Sequence, residues 1–186
     1  EDHVDWHGSF ENYRADKSRV YENTRVACIY NVDQPGAEEL VEAADVVEGC
    51  RAVGFTTGTL GLSMLGVVDE LLVDRAFVAD RATSAAEIGS VADTGDLPTR
   101  HGVANALAAA ALARAAGVEP GAVRDGLLAY RPGEHRIQLV AETEGVRWID
   151  DSKATNPHAA QASLSAFDTV VWIAGGLSKG CLLYTS

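Results

Sequence analysis

Residues 26–36 read Val26-Ala27-Cys28-Ile29-Tyr30-Asn31-Val32-Asp33-Gln34-Pro35-Gly36. An apolar run rich in β-branched and aromatic residues, closed by Asn, Asp, Pro and Gly, is the pattern of a buried strand stopped by a turn. The strand is predicted over 25–30, followed by a short helix near 37–44 and a second strand over 51–55. Upstream, Phe10, Tyr13, Lys17, Val20 and Tyr21 recur at the spacing of one helix face, which predicts a helix over 9–23 with Lys17 on its apolar side.

Downstream the alternation continues. The stretch 56–100 is Gly-rich at 58–66 and carries short apolar runs at 71–73 and 76–79, read as a small antiparallel sheet. Ala-rich residues 103–116 predict a helix ended by Gly117, and 120–130 predicts another opening on Pro120. Arg131-Pro132-Gly133-Glu134 is the best linker candidate. After it come a strand at 136–142, a turn at Gly145, a strand at 146–150, a helix from Pro157 to about Phe167, and a buried strand at Thr169–Ala174. Strands alternating with helices place the chain in the α/β class with a mostly parallel sheet.

Composition narrows the function. The chain has 186 residues, 47% of them hydrophobic and 23% charged, with 15 basic against 27 acidic groups and a net charge of −12. That balance opposes generic binding to nucleic acid or an anionic membrane, both of which need a basic surface. No apolar stretch reaches the length of a membrane span, so no membrane insertion is expected. Cys28, Cys50 and Cys181 are widely spaced and lack the pattern of a disulfide framework or a zinc site, which favours a reducing cytoplasm. Cys28 reads as core rather than nucleophile. The chain opens on Glu1-Asp2-His3 without an initiator Met, and residues 181–186 read as a non-native tail.

Of the 15 basic residues, only Lys17, Lys153 and Lys179 are lysine. A chain that otherwise uses arginine keeps lysine where a compact, deprotonatable amine is wanted, although compositional bias produces the same count. On an apolar face Lys17 is partly desolvated, which favours the neutral amine. A neutral amine reacts with CO₂ to give a carbamate, which binds Mg²⁺ as a carboxylate does; the alternative is a snorkelling lysine whose stem covers apolar surface. Lys153 sits in Asp150-Asp151-Ser152-Lys153-Ala154-Thr155-Asn156-Pro157, between a strand end and a helix start, with Asn156 as N-cap and Pro157 as first helical residue. Two aspartates and a lysine on that loop exceed what a cap requires, and a helix start favours anions. Lys179 lies in Gly175-Gly176-Leu177-Ser178-Lys179-Gly180 after an expected strand, where α/β sheets bind ligands. No GxxxxGK[ST] phosphate loop occurs in these residues.

Taken together, the segments resemble the Mur ligases, and within them the branch that joins D-glutamate to UDP-N-acetylmuramoyl-L-alanine. The resemblance rests on Glu1-Asp2-His3-Val4-Asp5, Tyr13-Arg14-Ala15-Asp16-Lys17, Arg100-His101-Gly102-Val103-Ala104-Asn105-Ala106-Leu107, His135-Arg136, Trp148-Ile149-Asp150-Asp151-Ser152-Lys153-Ala154-Thr155-Asn156, and Gly175-Gly176 with Lys179. It implies an ATP- and Mg²⁺-dependent cytoplasmic ligase of peptidoglycan precursor synthesis, acting as a monomer through an acyl phosphate. It also implies that 1–132 belong to a central ATP-binding domain and 133–180 to the start of a Rossmann-like C-terminal domain. His3 and a carbamylated Lys17 resemble the family's Mg²⁺ ligands, and Asp2 a contact to the muramoyl substrate. Asn105 resembles an adenine-side residue, and His135, Arg136 and Asp151 residues facing the nucleotide. Lys153 resembles the residue bridging nucleotide and acyl phosphate, and Thr155 with Lys179 the pair on a D-glutamate carboxylate.

The chain departs from the family at Gly102, where asparagine is usual. Without a phosphate loop, these residues by themselves are expected not to turn over. Another Mur ligase or a folylpolyglutamate synthase stays open as an alternative, as does a nucleotide-binding module without ligase chemistry.

Overall fold

The computed structural model describes residues 4–95, 98–131 and 133–176. The chain divides into two compact units, Glu1–Arg131 and Pro132–Ser186. Among the described residues of the first unit, two short helices, α1 (Val4–His7) and α2 (Phe10–Ser18), precede strand β1 (Ala27–Asn31). Helix α3 (Ala37–Glu42) leads to β2 (Arg51–Phe55), then β3 (Met64–Val68), β4 (Leu71–Asp74) and β5 (Ala86–Ser90). Helices α4 (Arg100–Ala115) and α5 (Pro120–Ala129) complete it.

The five strands form one mixed sheet in the order β1-β2-β3-β4-β5. β1, β2 and β3 run parallel, whereas β3-β4 and β4-β5 pair antiparallel. Only eight residues, 56–63, separate β2 from β3, short for a parallel connection. The overlap explains it: β3 pairs with just the end of β2, Gly54 against Met64 and Phe55 against Leu65. Close approach there also requires glycine, because a Cβ on Gly54 would lie 2.6 Å from Cγ2 of Val32.

The Ala-rich helix α4 covers one face of the sheet. Val103, Ala106, Leu107, Ala110 and Ala111 recur at i, i+3, i+4, i+7 and i+8, and all five are buried. They pack with Val53, Phe55, Leu65, Leu72 and Ile88 from the strands and Val123 and Leu127 from α5. Burying a leucine such as Leu65, Leu72 or Leu107 contributes about 1.5–3 kcal/mol each. Successive residues of β1 point to opposite faces, so Cys28 and Tyr30 instead meet Val41 of α3 in a second cluster. Helices therefore lie on both faces of β1, as the alternation of strands and helices predicts.

A buried ion pair joins the helical layer to the sheet. Asp74, at the end of β4, is 0% exposed and accepts from Arg114 Nε at 2.8 Å. Its other oxygen accepts from the backbone N–H of Ala76 (2.7 Å) and Phe77 (2.9 Å), and Arg114 also donates to the carbonyls of Phe77 and Val118. These bonds turn the chain at residues 75–77. The apolar run 76–79 is consequently not a strand, contrary to expectation; the antiparallel part of the sheet is β3-β4-β5.

The second unit contains the hairpin β6 (Gln138–Thr143) and β7 (Val146–Asp150), a small separate antiparallel sheet, and helix α6 (Pro157–Leu164). Glu144 (φ 53°) and Gly145 (φ 77°) make the two-residue turn, both with the positive φ that suits a tight hairpin. Helix α6 opens as predicted, with Asn156 Oδ1 accepting from the N–H of Ala159 at 2.9 Å and Pro157 in the first turn.

Two expectations are corrected here. Residues 169–174 form no strand, and Val171 is 93% and Ile173 81% exposed. A parallel strand needs a neighbour to satisfy its backbone, and among the described residues the β6-β7 hairpin gains no third strand. Helix α2 is shorter than 9–23 and carries no buried residue, so the stripe that includes Lys17 is not a core face.

Replacing Asp74 by alanine leaves the Arg114 guanidinium and two buried N–H groups without their acceptor. We expect a loss of about 3–5 kcal/mol in urea-induced unfolding, and a smaller loss in an Arg114→Met, Asp74→Leu double variant, which removes the uncompensated charge but still leaves the two N–H groups without an acceptor.

Candidate functional site

The parallel strands β1 and β2 end side by side, and a polar cluster sits just beyond both. The ladder runs one residue past β1, where the N–H of Val32 donates to the carbonyl of Phe55. Asn31 Oδ1 then accepts from the N–H of Asp33 at 2.9 Å, an Asx turn that aims the Asp33 carboxylate at the end of β2. Asp33 accepts from Thr56 Oγ1 (2.6 Å), Thr57 N (3.0 Å) and Thr57 Oγ1 (2.9 Å). Thr57 Oγ1 in turn accepts from Nε of Arg100 (2.9 Å), whose guanidinium lies 3.6 Å from Asp33.

Burial alone would raise the Asp33 pKa, but the Thr56 and Thr57 hydrogen bonds and the Arg100 charge outweigh it and hold the carboxyl below the ordinary range. An ionised carboxylate with this many donors is a brace, not a proton acceptor. It ties the loop after β2 to the first turn of α4, which is capped where Thr99 Oγ1 accepts from the N–H of Gly102 at 3.2 Å.

In the second unit, the segment before β6 is laced to the loop after β7. His135 Nδ1 lies 2.6 Å from Asp150 Oδ2, and the carbonyl of His135 accepts from the N–H of Lys153 at 3.1 Å. Asp150 Oδ1 accepts from the N–H of Ser152 (2.9 Å), and Asp151 Oδ1 from the N–H of Ile137 (3.1 Å). The His135 hydrogen bond, with those of Ser152, lowers the Asp150 pKa to about 2. His135 (φ 65°) and Ile137 (φ 48°) hold left-handed backbone, which costs about 1–3 kcal/mol per non-glycine residue and marks sites over-determined by their surroundings.

Asp151 Oδ2 is buried and has no hydrogen-bond partner among the described residues. A buried carboxylate oxygen left unpaired is costly, so this one calls for an explanation. Lys153 is exposed two residues further along the same loop, and Asn156 caps α6 three residues later.

Residues 1–113 match the family described as the Mur ligase middle domain. The chain belongs to the Mur ligase family. It is also 65% identical over 179 residues to the UDP-N-acetylmuramoylalanine–D-glutamate ligase of Streptomyces avermitilis, covering 96% of this chain and 38% of that protein. The proteins of that name from Streptomyces coelicolor and Thermobifida fusca are 62% and 52% identical, again over 96% of this chain and 38% of theirs. The chain thus spans well under half the length of these relatives.

Within this Mur ligase chain, the Lys153 N–H donates to the His135 carbonyl and Asp151 accepts from the N–H of Ile137, with Arg136 exposed between His135 and Ile137. Thr155 is exposed on the same loop, its N–H donating to the carbonyl of Lys153. Asn105 is exposed on α4, on the side away from Val103, Ala106 and Leu107. Lys17 is exposed at the end of α2, its ammonium 5.5 Å from the Tyr13 ring centroid, so the expected desolvation is absent. The physical reason is that α2 rests on no core. Asp2, His3 and Lys179 lie outside the described residues.

Asp33, Thr56 and Thr57 carry no site expectation from the sequence, and Arg100 enters there only as the first residue of the segment Arg100–Leu107. Asp33 was visible only as part of a turn signal; its position beyond a strand end in an α/β sheet was the clue available.

Because the folded pKa of Asp33 is depressed below its ordinary value of 3.8, its contribution is present above that value and lost as pH falls through the folded pKa. Thermal melts between pH 2 and 7 should show this acid-side loss, and Asp33→Asn should flatten it while lowering stability at neutral pH.

Proposed function

We propose that the protein to which this chain belongs is an ATP-dependent ligase that joins D-glutamate to UDP-N-acetylmuramoyl-L-alanine in peptidoglycan precursor synthesis. The observation that carries the reading is the laced loop of the second unit, with Lys153 exposed on it and an Asp151 carboxylate oxygen that has no partner among the described residues. In this reading ATP phosphorylates the terminal carboxylate of the muramoyl substrate, the amine of D-glutamate attacks the acyl phosphate, and phosphate leaves.

Asp151 Oδ2 would accept from a ribose hydroxyl, which supplies the donor it lacks. His135 would be held for the nucleotide by Asp150, and Arg136 would face phosphate. Lys153 would stabilise charge between nucleotide and acyl phosphate, as a fixed cation does in such transfers. Asn105 would meet the adenine, and Asp2 the muramoyl substrate. Thr155 and Lys179 would hold a carboxylate of D-glutamate.

Mg²⁺, when bound, neutralises phosphate charge; His3 and a carbamate on Lys17 would hold it. The exposed amine of Lys17 is open to CO₂, but burial does not contribute to its reactivity, so the carbamate would have to be stabilised by the metal itself. Residues 1–132 would form the central ATP-binding domain and 133–180 the start of the C-terminal domain of a monomeric cytoplasmic enzyme.

The test is phosphate release by the full-length ligase containing this chain. It should require ATP, UDP-N-acetylmuramoyl-L-alanine and D-glutamate together. Asp151→Ala should raise the KM for ATP about 10- to 100-fold, the value of one hydrogen bond to a charged group. Release that is supported equally by L-alanine or a diamino acid in place of D-glutamate would overturn the assignment.

A further inference from the structure

The clusters that the ligase reading leaves unused include one pair of thiols. Cys28 lies on β1 and Cys50 immediately precedes β2, and their sulfurs are 3.9 Å apart. The parallel register explains the meeting. Cys28 stands opposite Ala52, and Cys50, two residues earlier on the same strand line, projects to the same face. Both are reduced. Cys28 is 2% exposed within the cluster of Tyr30 and Val41, whereas Cys50 is half-buried at its edge, packed against it with Tyr21 and Ala37.

We propose that Cys28 and Cys50 are a modification site, forming a reversible intrachain disulfide when a hydroperoxide supplies the oxidising equivalents. The sulfurs must close from 3.9 Å to the bond length of about 2.05 Å, an approach that side-chain torsion at the more exposed Cys50 can provide. Cys50 is the thiol a peroxide reaches. Its thiolate takes the distal peroxide oxygen to become a sulfenic acid, releasing an alcohol, or water from hydrogen peroxide. The Cys28 sulfur then attacks the Cys50 sulfur, the S–S bond forms, and the sulfenic hydroxyl leaves with the Cys28 proton as water. Two thiols lose two electrons and the peroxide gains them.

Burial pushes the Cys28 thiol up, which disfavours it as the thiol that first meets the peroxide. The bond ties β1 to the start of β2 across a 22-residue separation. It therefore restrains the unfolded chain and leaves the opposite, Asp33 end of the strands untouched. The inference is independent of the ligase assignment.

The test uses the 186-residue chain carrying Cys181→Ser, since Cys181 lies outside the described residues and would supply a third thiol. Treatment of the folded chain with hydrogen peroxide should remove two hydrogens from its intact mass. It should abolish alkylation of both cysteines, join the Cys28 and Cys50 peptides, and raise the Tm, all reversed by dithiothreitol. Adding Cys50→Ser should eliminate each effect. In a glutathione redox buffer the disulfide should be at least ~10-fold more favoured in the folded chain than in urea, because folding holds the sulfurs together. Oxygen addition at Cys50 with Cys28 still alkylatable, covalent dimers in place of the intrachain bond, or equal preference in urea would each overturn the proposal.

Discussion

Because β1 and β2 run parallel in register, Ala27 opposite Arg51 and Asn31 opposite Phe55, both strands deliver matching ends to the same edge of the sheet. At their C-terminal ends this aligns Asp33 with Thr56 and Thr57. At their N-terminal ends it aligns Cys28 with Cys50. The same pairing fixes which side chains of β1 face α4 and which face α3, since a slip of one residue would exchange the two faces. Polar brace, thiol pair and both clusters of the core follow from one hydrogen-bonded ladder.

The sheet is held to its helical layer by two kinds of contact with different energetics. The alanine and leucine stripe of α4 contributes non-directional burial, and its small side chains let the helix lie close to the strands. The Asp74–Arg114 pair adds direction. Desolvating both charges is expensive, and the cost is offset because Asp74 also accepts two backbone N–H groups and Arg114 also donates to two carbonyls. Such a pair specifies where β4 ends and how α4 is rotated more than it adds net stability.

The second unit relies on local bonding instead of burial. Every residue of β6 is exposed. Its order near the loop comes from hydrogen bonds linking residues 135–137 to residues 150–153, and these oppose the strain of two left-handed residues. One acceptor, Asp151 Oδ2, is left over from that lacing. Strain at His135 and Ile137 and an unmatched acceptor at Asp151 both exceed what capping α6 requires.

Periodicity and end signals made much of this legible. The 3.6-residue stripe of α4, the Pro-initiated α5 and α6, the Asn156 cap and the hairpin turn at Gly145 all depend on local sequence alone, as does the clustering of Asp150, Asp151 and Lys153 on one loop. Local sequence failed where a neighbour was required. The apolar run 169–174 has strand composition but no ladder partner among the described residues, and the stripe through Lys17 has helical spacing but meets the core only at its far end, through Tyr21. Asp33 and Thr57 are 24 residues apart, and Arg100 is 43 residues from Thr57, so no window of sequence contains their cluster. By itself, the sequence determined the elements and their caps, because those arise from interactions within a few residues. Tertiary structure alone decided which carboxylates are saturated, which is left unpaired, and which two thiols touch, because each of those depends on the register of strands far apart in the chain.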